Sequence, residues 1–468
     1  MINVLFLSDT RSQSTPEEFG KSKLPRNIQK STCEGNDVTR PGHWDVPFLD
    51  YLKIRTSSLV NLGRGNSLTS SNFFKTVNFL TDDFTEKYVI FYEVDDGKES
   101  FKRLVKNKRV ISDLRDKKCY VIFFHNDGVS WQFNKQDMYW LEFKELVKNQ
   151  NIDIDRFGFI MYETVLKDDY DKVGEIGIDF YSFNDTSKFI YYGENLAGSA
   201  QLDKNTLSRM FRISKGYYRQ FKYCSHNNNI KDHRVELLLF LIKNNLLDGG
   251  VTTWFGGGEP KAQGVDDLDF TKFNGVPRSC PYCNSKNSVS RGIVDYSKEY
   301  GKESVEFANK FIPNSYDSKE EGFFTFLNLI PYFNSYFNII TETTWGPTYD
   351  FEVPQKIHLT EKVWKPISAF QPFILISTKN NLKKLREWGF RTFGDFIDES
   401  YDELDTYKER KVLLEKEIKR LCSMTIKELD EWYWSMQDIL EHNQKHYVEF
   451  MKYQYNGVTD FIFKAFND

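Results

Sequence analysis

Short apolar runs that alternate with helix-like segments constrain the fold of this chain more than any other feature. In the first half the apolar runs are 2–8, 88–93, 119–124 and 157–162, with helical patterns at about 98–113 and 135–149. In the second half the apolar runs are 219–225, 251–255, 337–341 and 373–377, with helical patterns at 232–245, 320–333 and 360–369. Strands that alternate with helices form parallel sheets covered by helices on both faces. The sequence therefore predicts an α/β protein.

The two series predict two Rossmann-like domains that face a cleft and are joined near residues 205–218. At 468 residues the chain is too long for a single core, which agrees with this division. An insertion at about 256–300 is rich in Gly, Asp, Asn and Ser, which is typical of a loop or lid. We expect an N-terminal domain at 1–210, a second domain at 211–400 and a helical C-terminal segment at 401–468.

Composition and charge restrict the class of protein. Hydrophobic residues make up 40% of the chain and the net charge is −4, which supports large cores and argues against nucleic-acid binding through an overall positive field. No segment approaches the 18 or so consecutive apolar residues that cross a membrane. The N-terminal MINVLFLSDTR is typical of a first β-strand rather than of a signal peptide. We therefore expect a cytoplasmic protein without a membrane partner, in the host cytoplasm if the source is viral.

The sequence lacks the usual cofactor motifs. Neither a GxGxxG after the first strand nor a Walker A loop occurs, which disfavours nicotinamide and P-loop enzymes. The six cysteines include CPYC at 280–283, but this segment lies in a predicted loop and no second CxxC supplies further zinc ligands. We expect neither a cofactor nor a metal site.

The segment IHLTEKVWKPISAFQPFILIS, at 357–377, predicts a helix that leads into a buried strand. Thr360 is a good N-cap, and Glu361 in the first turn suits the positive end of the helix dipole. Lys362 does not suit that end unless an anion lies in front of the helix, and phosphate is an anion that helix N-termini bind. The alternative is an ordinary amphipathic helix that buries Val363, Trp364, Ile367 and Phe370.

Two further segments are predicted to end at the same edge of the second sheet. Ser225 and Asn227 belong to a polar loop after a strand, Arg234 follows in the first turn of a helix, and Glu342 lies just past another strand. Ligands of open α/β sheets bind at the carboxyl ends of strands, where these residues and the helix at Thr360 would converge. Arg and Lys suit a diphosphate, and a carboxylate accepts both hydroxyls of a ribose. The combination indicates a nucleoside-diphosphate site, although each residue alone would be better explained by a surface ion pair or a cap.

These segments resemble those of the α1,3-fucosyltransferase-like glycosyltransferases, and the Thr-Glu-Lys segment is also similar to that of glycosyltransferases of tailed phages. Members carry a Ser-Asn-rich loop followed by Arg, a strand ending in Glu, and a Thr-Glu-Lys helix before an apolar strand. The resemblance covers about 219–400 and implies a GT-B fold, an inverting mechanism and a nucleotide-sugar donor. It implies that Arg234 and Lys362 hold the diphosphate, while Glu342 and Glu361 hold the ribose and the donor sugar. Gln371 and Pro372 stand where members have a small residue before the strand.

An inverting transferase needs a general base that removes the proton of the acceptor hydroxyl. The candidates lie in the first domain directly after predicted strands: His125 and Asp127 in FFHNDGVSW, and Glu163 in MYE. Asp127 is the preferred one, although residues at strand ends also commonly cap loops.

The sequence therefore predicts a glycosyltransferase that moves a sugar from a nucleotide-diphosphate sugar to an acceptor hydroxyl. The acceptor is either a glycan or a hydroxylated pyrimidine in phage DNA. Three basic strips interleaved with aromatic residues favour DNA, namely 101–110, 208–223 and 379–391. The alternative for each strip is a solvated helix face or a domain linker. The alternative function is a non-catalytic protein that binds a nucleotide sugar.

Overall fold

The chain divides into two compact units. The first comprises Met1–Asp185 and Lys452–Asp468, and the second comprises Thr186–Met451. The structure, a computed structural model, describes residues 2–8, 74–76, 87–93, 108–125, 143–161, 179–182, 204–227, 232–254, 296–310, 329–342, 357 and 359–467. The predicted insertion lies almost wholly outside these residues, and so does the CPYC segment.

The first unit contains a six-stranded sheet in the order β2-β1-β3-β4-β5-β6, and every pair of neighbours is parallel. Its strands are β1 (Ile2–Ser8), β2 (Phe74–Thr76), β3 (Tyr88–Glu93), β4 (Cys119–His125), β5 (Phe157–Met161) and β6 (Asp179–Ser182). Helix α1 (Lys108–Arg115) precedes β4, and helix α2 covers 143–149. Parallel strands need helical crossovers, which the segments before β4 and β5 supply.

Aromatic rings fill the core of the first unit between β4, α2 and β5. Phe123 and Phe157 are stacked at 6.0 Å between ring centroids, and Phe143 of α2 meets both edge-on. Gly158 follows Phe157, and a Cβ there would lie 2.6 Å from the Tyr120 hydroxyl and 2.8 Å from the ring of Phe461. The close approach of these two rings therefore requires glycine at this position.

The second unit contains a four-stranded parallel sheet in the order β10-β9-β7-β8. Its strands are β7 (Phe221–Asn227), β8 (Gly250–Trp254), β9 (Ser335–Thr341) and β10 (Phe373–Ile376). Its helices are α3 (Lys204–Ile213), α4 (Asp232–Lys243), α5 (Ser297–Tyr300), α6 (Lys302–Lys310), α7 (Leu329–Phe333), α8 (Glu361–Ser368), α9 (Asn381–Glu387), α10 (Tyr407–Ser423), α11 (Ile426–Ser435) and α12 (Gln437–Asn467), whose last part belongs to the first unit.

Strand β9 lies at the centre of the second unit, and all seven of its residues are buried. Its polar Asn338 is satisfied internally, because the side-chain amide donates to Gln371 Oε1 at 3.3 Å. The Gln371 amide in turn donates to Ser335 Oγ at 2.7 Å, and Oε1 accepts from the thiol of Cys224 at 3.4 Å. Burial raises the pKa of that thiol to about 12. Gln371 therefore ties three elements together ahead of β10, at the end of the sheet opposite to Glu342.

The predicted α/β class with parallel sheets is confirmed, and the main strands lie within two residues of their predicted bounds. Two short strands, β2 and β6, were not predicted; both are sheet edges and neither is a continuous apolar run. The two compact units divide after residue 185, and the chain from 401 to 451 belongs to the second unit. The predicted domain bounds at 210 and 400 stay predictions. None of the helices in the described ranges has the length and apolar character needed to cross a membrane.

Candidate functional site

The strand order of the second sheet defines a topological switch point between β7 and β9. From β7 the chain continues to β8 on one side, and from β9 it continues to β10 on the other. In open α/β sheets ligands bind in the crevice at the carboxyl ends of the two strands that flank such a point. A ligand site of this unit is therefore expected at the carboxyl ends of β7 and β9.

Side chains bridge β7 and β9 at this end, where their backbone pairing has stopped. The paired residues run as far as Cys224 and Asn338. Beyond them, Ser225 Oγ donates to the carbonyl of Ile339 at 3.0 Å. The Thr341 hydroxyl donates to Asn227 Oδ1 at 2.5 Å, and Asn227 Nδ2 donates to Ser225 Oγ at 3.1 Å. The prediction that Ser225 and Asn227 belong to a loop after the strand was wrong, because β7 extends to Asn227. Both residues are buried, so their first role is to join the strands.

Glu342 lies directly after β9, and its side chain is fully buried. Both carboxylate oxygens accept hydrogen bonds from Thr360: Oε1 from the backbone N–H at 2.7 Å, and Oε2 from the hydroxyl at 2.7 Å. A buried carboxylate is stable only when such donors compensate its lost hydration. Glu342 therefore fixes the beginning of α8 against the end of β9.

Thr360 is the N-cap of α8, as predicted, because its hydroxyl accepts from the backbone N–H of Lys362. The Lys362 ammonium donates to the same hydroxyl at 3.0 Å and lies 3.9 Å from Glu342 Oε2. Its side chain is 21% exposed. The cation that the sequence placed at the unfavourable end of the helix is thus balanced by Glu342 and still reaches the surface.

The first turn of α4 is tied to the same strand end. Arg234 Nη2 donates to the carbonyl of Thr341 at 3.3 Å, and His233 Nε2 lies 2.9 Å from the carbonyl of Glu342. Arg234 and His233 are both buried. His233 was not predicted, although its place beside Arg234 in a first turn after β7 is a signal that could have found it.

The structure thus brings six of the predicted residues into one hydrogen-bonded group at the switch point. They are Ser225, Asn227, Arg234, Glu342, Thr360 and Lys362. Glu361 is the first residue of α8, and its side chain lies outside what the structure describes.

The predicted base candidates fall in the first unit. His125 is the last residue of β4, and its side chain lies outside the described part of the chain. Asp127 and Glu163 lie wholly outside it.

The first sheet has its own switch point, which sequence reasoning did not identify. Its order places β1 beside β3, with β2 and β4 on the outer sides. The register pairs Ser8 with Glu93, the last residues of these two strands. Backbone topology therefore places Glu93 at the carboxyl end of the sheet, where a ligand of the first unit would bind.

The group in the second unit suits an anionic ligand. It combines two cations, Arg234 and Lys362, with the buried carboxylate of Glu342, and it includes the N-terminus of α8. Among the described residues no cluster of His, Cys, Asp or Glu could hold a metal ion. The chain matches no protein-family model, no curated protein and no solved structure.

Proposed function

We propose that this protein is a glycosyltransferase that moves a sugar from a nucleotide-diphosphate sugar to an acceptor hydroxyl with inversion. On this proposal the molecule is of the GT-B type, in which the second unit holds the donor and the first unit supplies the acceptor side. The observation that carries the proposal is the joining of Arg234, Glu342, Thr360 and Lys362 at the switch point of a parallel sheet.

The contacts suggest a division of roles among these residues. Lys362 and the N-terminus of α8 would receive the diphosphate, since both offer positive charge at one place. Both oxygens of Glu342 are already bound to Thr360, so we assign it to holding Lys362 and α8 in position. The neighbouring Glu361 is then the carboxylate assigned to hydroxyls of the ribose or the donor sugar.

In the proposed reaction a base takes the proton of the acceptor hydroxyl, and the oxygen attacks the anomeric carbon. The bond from that carbon to the diphosphate oxygen breaks, and the nucleoside diphosphate leaves with the electron pair. Lys362 would stabilise the negative charge that grows on the leaving group. The candidate bases are Asp127, His125, Glu163 and, from the topology of the first sheet, Glu93.

A panel of nucleotide sugars and nucleoside diphosphates, screened by thermal shift, tests the donor part of the proposal. A ligand at 100 times its Kd adds about 2.7 kcal/mol to the stability of the native state, which a melting curve detects easily. We expect the diphosphate of one particular nucleoside to stabilise the native state, and the same nucleoside without its diphosphate not to. Hydrolysis of that donor without an acceptor would distinguish an enzyme from a non-catalytic binding protein.

Lys362→Gln should weaken binding of the selected nucleoside diphosphate about ten- to a hundredfold. The variant removes a charge-assisted contact worth about 1.5–3 kcal/mol, and about 1.4 kcal/mol corresponds to a tenfold change in Kd. Isothermal titration calorimetry measures the effect. Lys365→Gln is the matched control, because it removes the same charge from the last turn of the same helix. Equal affinities in both variants would remove Lys362 from the donor site.

The nature of the acceptor predicts a salt dependence. With hydroxymethylated DNA as acceptor, transfer should fall steeply between about 50 and 200 mM salt, because several neutralised phosphates tie affinity to counterion release. With a neutral oligosaccharide the rate should change little over that range. Transfer of a radiolabelled sugar to each acceptor measures this difference. Salt-independent transfer to the oligosaccharide, without labelling of DNA, would assign the enzyme to glycans.

A further inference from the structure

Residues 204–223, which form α3 and the start of β7, carry a charge unlike that of the whole chain. They contain six Lys or Arg and no Asp or Glu, whereas the net charge of the chain is −4. The donor site does not use any of these residues. A local excess of cations of this size calls for an anionic partner.

The same segment exposes large apolar and aromatic side chains. Tyr217 and Tyr218 are 73% and 65% exposed, and Ile213 is 58% exposed. Two adjacent tyrosines at this exposure are unusual for a ring that normally buries much of its surface. They follow Gly216, whose φ of +97° turns the chain after α3 in a way that favours glycine.

This exposed surface stands on a fixed base. Phe211 is fully buried and stacks on Phe370 at 4.4 Å between ring centroids. Arg219, directly after the tyrosines, is buried and donates to the carbonyls of Tyr332 at 2.8 Å and Ser335 at 2.9 Å. Its guanidinium lies 4.1 Å from the ring centroid of Tyr433. The two tyrosines are therefore anchored on both sides by buried residues.

The cations around the tyrosines are only partly balanced. Arg209 is exposed, and Lys215 Nζ donates to the neutral Gln437 at 3.1 Å. Arg212 forms an ion pair with Glu441 at 3.3 Å. Within the described residues, three cations thus meet one carboxylate, and the surface keeps an excess of about two positive charges.

This surface lies too far from the donor site for one small acceptor to contact both. It lies beside the start of β7 and beside Phe370, which follows the C-terminal end of α8, whereas Lys362 lies at the N-terminal end of α8. The length of β7 alone places the amino-terminal and carboxyl-terminal ends of the strands about 20 Å apart. A ligand that reaches both must be a polymer.

We propose that Arg209, Arg212, Lys215, Tyr217 and Tyr218 form a binding surface for single-stranded nucleic acid, remote from the donor site. Phosphates would contact the cations, and unpaired bases would stack on the tyrosine rings, which is how sequence-tolerant single-strand binding works. The link to sugar transfer, in which this surface holds a DNA acceptor, rests on the proposed function. The binding itself does not.

The test is the fluorescence anisotropy of a labelled oligo-dT of about 20 nucleotides, long enough to cover a typical single-strand site. It is titrated with the full chain in the absence of any nucleotide sugar. Tyr217→Ala with Tyr218→Ala should weaken binding about tenfold or more, and Tyr217→Phe with Tyr218→Phe should restore it, because stacking needs the ring and not the hydroxyl. Arg209→Ala with Lys215→Ala should lower the slope of log Kd against log salt by about 1.4, because each phosphate contact to a single strand contributes about 0.7.

Lys302→Ala with Lys427→Ala is the matched control, since it removes two exposed lysines elsewhere in the same unit and should leave the slope unchanged. Unchanged binding in the tyrosine variant would overturn the proposal. Tighter binding to poly-glutamate or to anionic vesicles than to oligo-dT would do the same and would indicate an acidic protein or a lipid surface. The titration contains no donor, so it tests the binding surface independently of sugar transfer. If oligo-dT binds while no nucleotide sugar or nucleoside diphosphate stabilises the protein, the proposed transferase is refuted and the nucleic-acid surface is supported.

Discussion

Trp364→Ala should lower the free energy of unfolding of the second unit by about 3–5 kcal/mol, the range for removing a large buried ring. Trp364 is fully buried on α8. Its ring lies 5.4–5.6 Å from those of Phe390, Tyr447 and Phe450, and 6.2 Å from that of Trp388. Four large rings cannot close around alanine without moving their own elements, so the variant leaves a cavity and loses aromatic contacts.

Urea unfolding followed by circular dichroism measures this loss, and Trp388→Ala is the matched control. Trp388 belongs to the same cluster but is only half-buried, so its removal creates a smaller cavity and should cost clearly less. Equal costs for the two variants would mean that the cluster collapses around a deleted ring. Since α8 also carries Lys362, the Trp364 variant should further weaken nucleoside-diphosphate binding, while the Trp388 variant should not.

The core face of α8 was predictable from the sequence alone. Val363, Trp364 and Ile367 recur at helical spacing on α8 and are buried. Phe370 is buried as predicted, although it follows the end of the helix. Strand β10 was also recognisable, because FILI is a continuous apolar run, as is typical of a strand buried on both faces of a parallel sheet. Strand β9 was recognisable from its apolar residues, although Asn338 interrupts them. Local composition determines these features, so a local pattern is enough to predict them.

The role of Glu342 was not predictable in this way. The sequence placed it correctly at a strand end, but a carboxylate there can face a ligand or another part of the chain. Its partner, Thr360, is 18 residues away and meets it only because β9 and α8 meet at the same edge of the sheet. The same holds for His233, whose contact with the Glu342 carbonyl spans 109 residues. Contacts of this kind depend on tertiary packing, which no local spacing reports.

Glu342→Ala should destabilise the second unit by about 2–4 kcal/mol and should weaken nucleoside-diphosphate binding as well. The variant leaves the buried N–H and hydroxyl of Thr360 without their acceptor, and each hydrogen bond to a charged group contributes about 1.5–3 kcal/mol. Part of that loss is offset, because the wild-type protein must desolvate the fully buried carboxylate on folding and the alanine variant does not. Urea unfolding and calorimetric titration measure the two effects.

Glu342→Gln separates the role of shape from that of charge. The new amide oxygen can still accept from the Thr360 N–H, and the amide nitrogen can donate to the Thr360 hydroxyl, so the fold should lose only about 1–2 kcal/mol. The hydroxyl would then receive donors from both the new amide and Lys362, and the lysine would lose its anionic neighbour. Affinity for the diphosphate should therefore change less than in the alanine variant.

A double-mutant cycle between Glu342→Gln and Thr360→Val tests whether Glu342 acts through Thr360. Residues that share a hydrogen bond show interaction energies of about 0.5–3 kcal/mol, whereas independent sites are additive within about 0.5 kcal/mol. We expect coupling both in stability and in diphosphate affinity, because Thr360 links Glu342 to the backbone and to the ammonium of Lys362. Coupling in stability with additive effects on affinity would show that the pair only supports the fold. In that case Lys362 would bind the diphosphate without depending on the carboxylate beneath it.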